Sequence, residues 1–386
     1  SSTAPAVLNL NSGGYNITKV GTNEVALVHP EIDPSLGNVE VQEGEFAIQD
    51  ADSGNWLGVG DSTKTITVHS NATLETYNLT DANPLNKLIL LQDGSTIQND
   101  SGDSVISGQV TLQGNDTFNV NAQFIFNNVL DGSGNLIKIA DSTLVLSATN
   151  TYSGATVVSN GTVQVDGSIA GSGVDVEGGT LAGTGSITAP VVINTGGALS
   201  PGDNSIGVLS IANTLTLSGT NMMDLDKTSG VLTSDLITNV TALTLGGMLQ
   251  LNVTGDTALA VGDSFTLFSA GSITGSFSGI IPAVPGDGLQ WDTSELSSGI
   301  LKVATAAAAG PTIGGVAVSG GNVTFNITGG SVNAGATFYV LTSTNVATPL
   351  SNWMPVTTNQ LDSNGNFSFT NTVSGQPQQF YIIQLP

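Results

Sequence analysis

The stretch from Gly134 to Val165 limits the possible folds more than any other part of the chain. It divides into four short segments, Asn135–Ile139, Thr143–Ser147, Thr156–Ser159 and Thr162–Val165, and apolar residues fall at every second position in Leu144/Leu146 and Val163/Val165. This period is typical of half-buried β-strands. Strands this short, separated by Gly, Asn and Ser, cannot bury a face alone. The pattern therefore predicts a fold in which each turn of chain stacks on the next.

The chain contains the same unit twice, as a stacked fold requires. Asn16–Val28 (NITKVGTNEVALV) aligns with Asn135–Ser147 (NLIKIADSTLVLS), and Val41–Ile48 aligns with Val158–Val165. The loop between the two halves differs in length between the copies, because the earlier copy has HPEIDPSLGN where the later one has Asn-Thr-Tyr-x-Gly. We therefore expect the two copies to form similar turns of one fold.

Two residue pairs of this alignment make a specific prediction. Lys19 aligns with Lys138, and Gly44 aligns with Gly161. If the unit is a true structural repeat, the lysines occupy equivalent places in their turns, and so do the glycines. The neighbouring strands are then parallel, at the usual spacing of about 4.8 Å.

The order of the residues in the later copy resembles a known family. The matching residues are Lys138, Leu144, Leu146, Asn150, Thr151, Tyr152, Gly154 and Gly161. They resemble the autotransporter-associated β-strand repeat of large bacterial surface and secreted proteins. A Pro-Gly-Asp turn, a Ser-Asp pair and a Trp-Asp-Thr-Ser segment further on extend the resemblance over roughly residues 15–303. It implies a right-handed parallel β-helix and an extracellular location, and it does not imply an activity.

Charge and composition exclude several classes of partner. The chain has 386 residues, with 30 Asp and Glu against six Lys and no Arg, which gives a formal net charge of −24. Nucleic acids and anionic membrane surfaces need clustered Lys or Arg, so neither is an expected partner. The absence of Cys excludes disulfides and thiolate metal sites. No stretch is apolar enough to span a membrane, and the polar start SSTAP resembles a mature N-terminus after removal of a signal peptide.

The composition predicts a division into domains. We expect an N-terminal strand or arm (1–14), a parallel β-helix (15–303), an Ala/Gly/Pro linker (304–312) and a C-terminal module (313–386). The last segment is richer in aromatic residues and has several short strands. This predicts a small immunoglobulin- or fibronectin-like β-sandwich. The fold class is therefore all-β.

Candidate catalytic and metal-binding residues are few. The two histidines, His29 and His69, are far apart, and neither lies in a recognisable motif. A β-helix enzyme that cleaves acidic polysaccharides needs Arg or Lys near its substrate, and this chain has little of either. Asp224, Asp226 and Asp235 weakly resemble a calcium loop, but the glycine falls one position late for an EF-hand. We therefore expect no cofactor, with calcium at these aspartates as the alternative.

Three function classes remain open. We favour a secreted, non-enzymatic structural protein that assembles with copies of itself into an extracellular surface fibre or matrix. An adhesin or glycan-binding surface protein is the alternative, and a polysaccharide-cleaving enzyme is the third. A glycan site would gather exposed rings, for which Trp56, Trp291 and Trp353 are the candidates, although packing at the ends of domains also explains each of them.

Four residues are the candidates for the self-assembly contact: Ala6, Val7, Leu8 and Leu10. An open β-helix ends in unpaired strands, and such edges pair with other chains unless they are capped. No capping helix is evident at either end, and charges are sparse in both terminal turns. Ala6–Leu10 therefore either completes a sheet in a neighbouring subunit, or Ser1–Leu10 caps its own β-helix.

Overall fold

A computed structural model describes residues 14–28, 36–49, 61–203, 205–306, 310–330, 334–373, 375 and 378–385. Its residues divide into two compact units, one ending at Ala304 and the other beginning at Thr305. In the described residues, strands make up nearly all of the regular structure, and the helical segments are two short 3₁₀ turns, Leu296–Ser298 and Leu350–Asn352. The segment Ala6–Leu10, His29 and Trp56 lie outside the described residues.

The first unit is a parallel β-helix with three faces. Within the described residues, the first turns form strands on faces 1 and 2, and the later turns form strands on all three faces in a fixed order. Face 1 consists of two six-stranded sheets. The strands of the first are Ile17–Lys19, Val39–Val41, Thr65–Val68, Leu88–Leu91, Val110–Leu112 and Leu130–Gly132. Those of the second are Thr149–Asn150, Ser168–Ile169, Ser186–Ile187, Val208–Ile211, Leu236–Val240 and Phe268–Ala270.

Face 2 is one continuous twelve-stranded sheet. Its strands are Val25–Val28, Glu45–Gln49, Thr73–Tyr77, Thr96–Asn99, Asn115–Val120, Asn135–Ile139, Thr156–Val158, Val174–Val176, Val191–Ile193, Leu215–Leu217, Leu243–Leu245 and Ile273–Gly275. Each strand pairs in parallel with the one before it and the one after it. The predicted parallel stacking is therefore confirmed.

Face 3 begins later in the chain than the other two faces. Its parallel strands are Ser104–Ile106, Phe124–Phe126, Thr143–Leu146, Thr162–Val165, Thr180–Gly183, Ala198–Pro201, Thr220–Thr228, Met248–Thr254 and Gly279–Ile281. Val231–Ser234 folds back antiparallel to Thr220–Thr228 as a hairpin. The four strands predicted between Asn135 and Val165 all form, on faces 2 and 3.

The core of the β-helix is a continuous column of apolar side chains from Leu36 to Val303. Alternate residues of each strand point inward, so the same apolar types stack on one another from turn to turn. Phe118, Phe124 and Phe126, predicted as core aromatics, are fully or almost fully buried. The ring centroids of Phe124 and Phe126 are 4.6 Å apart.

The far end of the β-helix is closed by strands that leave the parallel pattern. Ser264–Thr266, Ile300–Thr305 and Leu289–Asp292 form a three-stranded sheet, in which the first two strands are antiparallel. Its side chains, among them Trp291, belong to the same hydrophobic core as the β-helix. The expectation that parallel strands continue to residue 303 is therefore wrong for these last strands. No capping helix is expected at this end, and a three-stranded capping sheet lies there instead.

The second unit consists of two three-stranded sheets. One contains Thr312–Ser319, Asn322–Thr328 and Asn366–Thr372, in that order, and the other contains Met354–Gln360, Thr337–Ser343 and Phe380–Gln384. The strand pairs are antiparallel. Residues of both sheets form one separate core, which includes Phe325 and Phe338. This arrangement fits the predicted small β-sandwich.

Candidate functional surface and the buried lysine sites

Lys138 points into the β-helix, where backbone carbonyl groups hold its ammonium group. The side chain is fully buried. Its Nζ donates to the carbonyl oxygens of Ile139 at 2.8 Å, Ala140 at 2.7 Å and Asn160 at 3.1 Å. Burial lowers the pKa of Lys138 to about 8. The three acceptors make the lysine a clamp that joins its own turn to the next one.

Lys19 makes the same set of contacts in the earlier copy. Its Nζ donates to the carbonyl oxygens of Gly21 at 2.5 Å and Glu43 at 2.8 Å, and more weakly to that of Val20 at 3.4 Å. The predicted equivalence with Lys138 is thus confirmed for the local contacts. The two lysines nevertheless lie on different faces, Lys19 on face 1 and Lys138 on face 2. The repeat therefore specifies a local unit of strand, turn and lysine clamp. This unit occurs at two different corners of the β-helix.

The aligned glycines make room for these clamps. Gly161 has φ +64°, and a Cβ there would lie 2.6 Å from the Lys138 Nζ and 2.5 Å from the carbonyl oxygen of Ser142. Gly44 has φ +68° and is similarly crowded by backbone of the preceding turn. A left-handed conformation without space for a side chain accepts only glycine. The Lys–Gly spacing of the repeat therefore has a direct structural cause.

Most of the positive charge of the chain is used inside it. Of the six lysines, four are buried, namely Lys19, Lys87, Lys138 and Lys227. Lys87 donates to two backbone carbonyls, and burial lowers its pKa to about 8. Lys227 pairs with Asp263 at 2.8 Å. Lys302 is partly exposed and pairs with Glu295, so the outer surface is dominated by carboxylates.

Asparagine side chains form ladders at the corners of the helix. The Oδ1 of Asn135 accepts from the backbone N–H of Ala155 at 2.7 Å, and its Nδ2 donates to Asn115 at 2.7 Å. In the earlier copy, Asn16 Oδ1 accepts from the N–H of Asn38 at 2.8 Å. Asn16 and Asn135 each thus satisfy a backbone N–H group of an adjacent turn.

The Asn-Thr-Tyr-x-Gly motif fixes a further corner. Asn150 accepts from the N–H of Leu130 at 2.9 Å and donates to the carbonyls of Ala148 and Ser168 at 2.9 and 3.0 Å. Tyr152 is fully buried, and its hydroxyl lies 2.5 Å from the hydroxyl of Thr156. These side chains link three successive turns, so the motif is structural.

The three aspartates of the candidate calcium loop do not converge. Asp224 and Asp226 lie on the strand Thr220–Thr228, which enters a hairpin and not a loop. Asp235 is buried, and its carboxylate accepts from the N–H groups of Gly207 and Asp224, both at 2.8 Å. Burial raises the pKa of Asp235 to about 6. Within the described part of the chain, no three His, Asp or Glu side chains are grouped so as to hold a metal ion.

The other candidate residues are also placed by the structure. His69 lies 2.8 Å from the carboxylate of Glu40 on the next strand of face 1. Trp291 and Trp353 are 9% and 8% exposed, and their indole N–H groups donate to the carbonyls of Pro282 and Thr348. Neither ring is available for stacking on a sugar. Packing within their units, the alternative considered for both tryptophans, is confirmed.

A shallow polar groove runs along the outside of face 3. Its volume is about 270 Å³, and its walls include Thr143, Thr162, Gln164, Thr180 and Asp224 from successive strands. Parallel stacking puts the three threonines in one column, because Thr143 pairs with Thr162 and Thr162 with Thr180. Sequence reasoning missed this groove. Its threonines are far apart in the chain, and only the register between turns aligns them.

Among the described residues, the structure contains no helix with the length and apolar character of a membrane span.

The comparisons with known proteins address the β-helix. Residues 136–165 match the family described as the passenger-associated transport repeat. This match covers the later copy of the repeat, with its lysine clamp and its Asn150–Tyr152 corner.

Two curated proteins are similar over part of the chain. The adhesin BmaC autotransporter of Brucella suis biovar 1 (strain 1330) is 35% identical over 103 residues, which are 25% of this chain and 3% of that protein. The extracellular serine protease of Serratia marcescens is 37% identical over 86 residues, which are 22% of this chain and 8% of that protein. The matches thus cover less than a tenth of either relative's length. Together with the β-helix, they make the chain a secreted or cell-surface bacterial protein that carries the passenger-associated transport repeat.

Proposed function

We propose that the chain is a non-enzymatic structural part of a bacterial surface layer or fibre, and that it assembles with copies of itself. The observation that carries this proposal is the exposed apolar edge of the first turn of the β-helix. At the far end, the capping sheet buries Trp291 and its neighbours in the core. At the near end, Tyr15, Val20 and Val25 are 66%, 63% and 46% exposed.

Val25 illustrates why the near end needs a cover. It pairs in register with Phe46 of the next turn, which is only 2% exposed. Val25 therefore stands at the start of an inward-facing column, and within the described residues no strand stacks on its outer side. Exposed apolar groups at a sheet edge favour the addition of a further strand. The segment we propose for self-assembly contains Ala6, Val7, Leu8 and Leu10. It pairs with the first turn of a neighbouring subunit or, in the alternative, covers the first turn of its own chain.

A truncation tests this proposal. Removal of residues 1–10 is expected to leave a folded protein that no longer forms filaments, as observed by electron microscopy and sedimentation. The double variant Leu8→Asp/Leu10→Asp is expected to behave in the same way, because it places charges in the strand without shortening the chain. The matched control is Asn9→Asp, which adds one charge between them and keeps the apolar residues. Filaments of normal length from the truncated chain would exclude the segment as the connector.

An adhesin is the second candidate function, and the groove of face 3 favours it. One relative is named as an adhesin, and the groove offers hydroxyl, amide and carboxylate groups in regular order. Such groups recognise neutral polyols such as surface glycans. A glycan-binding screen of the wild type and of Thr162→Val/Thr180→Val tests this candidate. Glycan binding that is equal in both proteins would remove the groove as the site, and no binding by either would remove the candidate.

A further inference from the structure

The strand Thr312–Ser319, here called the edge strand, pairs with the rest of its unit on one side only. It lies at the border of its sheet, next to Asn322–Thr328. The inner strand buries Val323, Phe325 and Ile327 in the core of the unit. The edge strand contributes no residue to that core, and all of its residues are exposed.

The exposed side chains of the edge strand are apolar. Ile313, Val316 and Val318 are 36%, 64% and 71% exposed. β-Branched residues favour strands because they pack against neighbours on a pleated surface. On the paired side, Ile313 and Val318 stand opposite Ile327 and Val323. On the other side of the strand, the described residues provide no neighbour. The sequence thus forms an extra strand whose side chains remain uncovered.

The edge strand lacks most of the features that usually prevent strand addition. Natural edges are protected by Lys or other charges, by Pro, by a β-bulge or by a covering segment, and only the bulge is present here. The sequence TIGGVAVS contains no charged residue and no Pro. Two glycines, Gly314 and Gly315, lie at its bulge with Asn322–Thr328, and the part beyond the bulge pairs regularly.

Charge indicates which partner fits this edge. Asp362 is the only Asp, Glu, Lys or Arg between Thr305 and Pro386, although the whole chain has a net charge of −24. Its carboxylate accepts the N–H groups of Asn364 and Asn366 in a turn, and it is not on the edge strand. Two β-helical units repel each other, whereas two C-terminal units do not. The C-terminal unit of a second copy therefore brings almost no charge to the edge strand.

We propose that the edge strands of two copies pair antiparallel, so that the two copies' three-stranded sheets form one continuous sheet. An antiparallel pair of identical strands has twofold symmetry, the commonest symmetry of protein dimers. The pairing satisfies the free backbone groups and covers Val316 and Val318 with the same residues of the partner. It supplies one contact of the proposed self-assembly and in that respect rests on the proposed function.

Cysteine cross-linking tests the pairing directly, because the chain has no Cys of its own. Single variants Val316→Cys, Ala317→Cys and Val318→Cys are oxidised in dilute solution. Residues that face each other across an antiparallel pair have Cβ atoms about 5 Å apart, close to disulfide reach. We expect disulfide-linked dimers, strongest at one of the three positions. Val346→Cys is the matched control, since Val346 is 65% exposed in the same unit but is not on the edge strand.

Sedimentation of the full chain gives the second measurement. Val316→Lys/Val318→Lys is expected to weaken dimerisation at least about tenfold, because like charges opposite each other destabilise a strand pair. Val346→Lys is expected to dimerise like the wild type. A circular dichroism melt verifies that each variant is folded, which the exposure of these residues leads us to expect.

The outcomes separate this inference from the proposed fibre. Cross-linking at Val346→Cys equal to that at the edge strand, or unchanged dimerisation of the lysine double variant, would overturn the pairing. The edge-strand cysteine variants can also be mixed with a Leu8→Cys chain. Cross-links between the edge strand and Leu8→Cys, without cross-links between two edge strands, would overturn the pairing and identify Ala6–Leu10 as the added strand. If Val316→Lys/Val318→Lys no longer dimerises but still forms filaments, the proposed fibre forms without this contact. Dimers without filaments would support the pairing and oppose the fibre.

Discussion

Single polar residues inside the β-helix follow one rule, which is that a buried polar group is tolerated where the adjacent turns supply partners. Lys138, Asn150 and Asp235 all obey it, with two or more hydrogen bonds each to backbone groups. Asn221 does not. It is fully buried, and both of its side-chain polar atoms lack a hydrogen-bond partner.

This contrast predicts opposite effects of the same substitution. Asn221 lies in register between Leu199 and Leu249, so Asn221→Leu continues an apolar column. We expect it to raise the free energy of unfolding by about 1–3 kcal/mol, the usual cost of an unsatisfied buried polar group. Asn150→Leu is expected to lower it by a similar amount, because it leaves backbone groups of neighbouring turns unpaired. Chemical denaturation of both variants checks the signs. Two shifts of the same sign would contradict the rule.

Glu75 provides a prediction of pH dependence. It is 7% exposed, and burial raises its pKa to about 8, with a hydrogen bond to Glu45 and nearby negative charges adding to the shift. A carboxyl group with a raised pKa stabilises the fold fully below its unfolded value, near 4.5, and this stabilisation is lost as the pH rises through 8. The wild-type melting temperature is therefore expected to fall as the pH rises from about 4.5 to about 8, and less so in Glu75→Gln.

The control for this measurement is Glu177→Gln, at an exposed position on the outside of face 2. We expect its melting temperature to follow the wild type over the same range. If the wild type and Glu75→Gln lost stability in parallel between the two pH values, Glu75 would not be the group responsible.

At the scale of the single turn, the repeat unit is a lysine clamp, a left-handed glycine and a corner asparagine. The clamp of Lys19 forms on face 1 and that of Lys138 on face 2, so the unit is not tied to one face of the helix. The two copies share local geometry because both need the same strand–turn–strand path. They differ in position because the chain reaches that path at different corners.

The glycine of the clamp predicts a sharp steric effect. At Gly161 a Cβ would meet the carbonyl of Ala140 and the Lys138 Nζ, whereas at Gly262, with φ +96°, no atom lies within 4 Å. Both substitutions to Ala share the cost of a positive φ, about 1–2 kcal/mol. We therefore expect Gly161→Ala to lower the free energy of unfolding by about 2 kcal/mol more than Gly262→Ala, since the neighbours must move. Equal losses in thermal melts would mean that the clamp has room for a side chain.

In the whole molecule, charge is distributed unequally. The β-helix unit carries nearly all of the carboxylates and all six lysines, and the C-terminal unit has Asp362 alone. Burial of four lysines makes the outside of the β-helix even more acidic than the composition indicates. The open first turn and the uncovered edge strand are the apolar surfaces on which the two self-assembly proposals rest.

Much of the fold was predictable from the sequence because its determinants are local. Alternating apolar residues between Asn135 and Val165, Gly161 and the Asn150–Tyr152 corner each act within one turn. Their pattern predicted a stacked fold, and the resemblance to the repeat family implied the parallel β-helix. The assignment of the Lys19 copy to another face, the antiparallel cap around Trp291 and the threonine column of face 3 depend on register between turns. Register is set by how residues about 20 positions apart stack, and the single sequence does not encode it in any one segment. The exposure of Val25 and Val318 was likewise decided by tertiary structure, because it depends on which strands lie beside them.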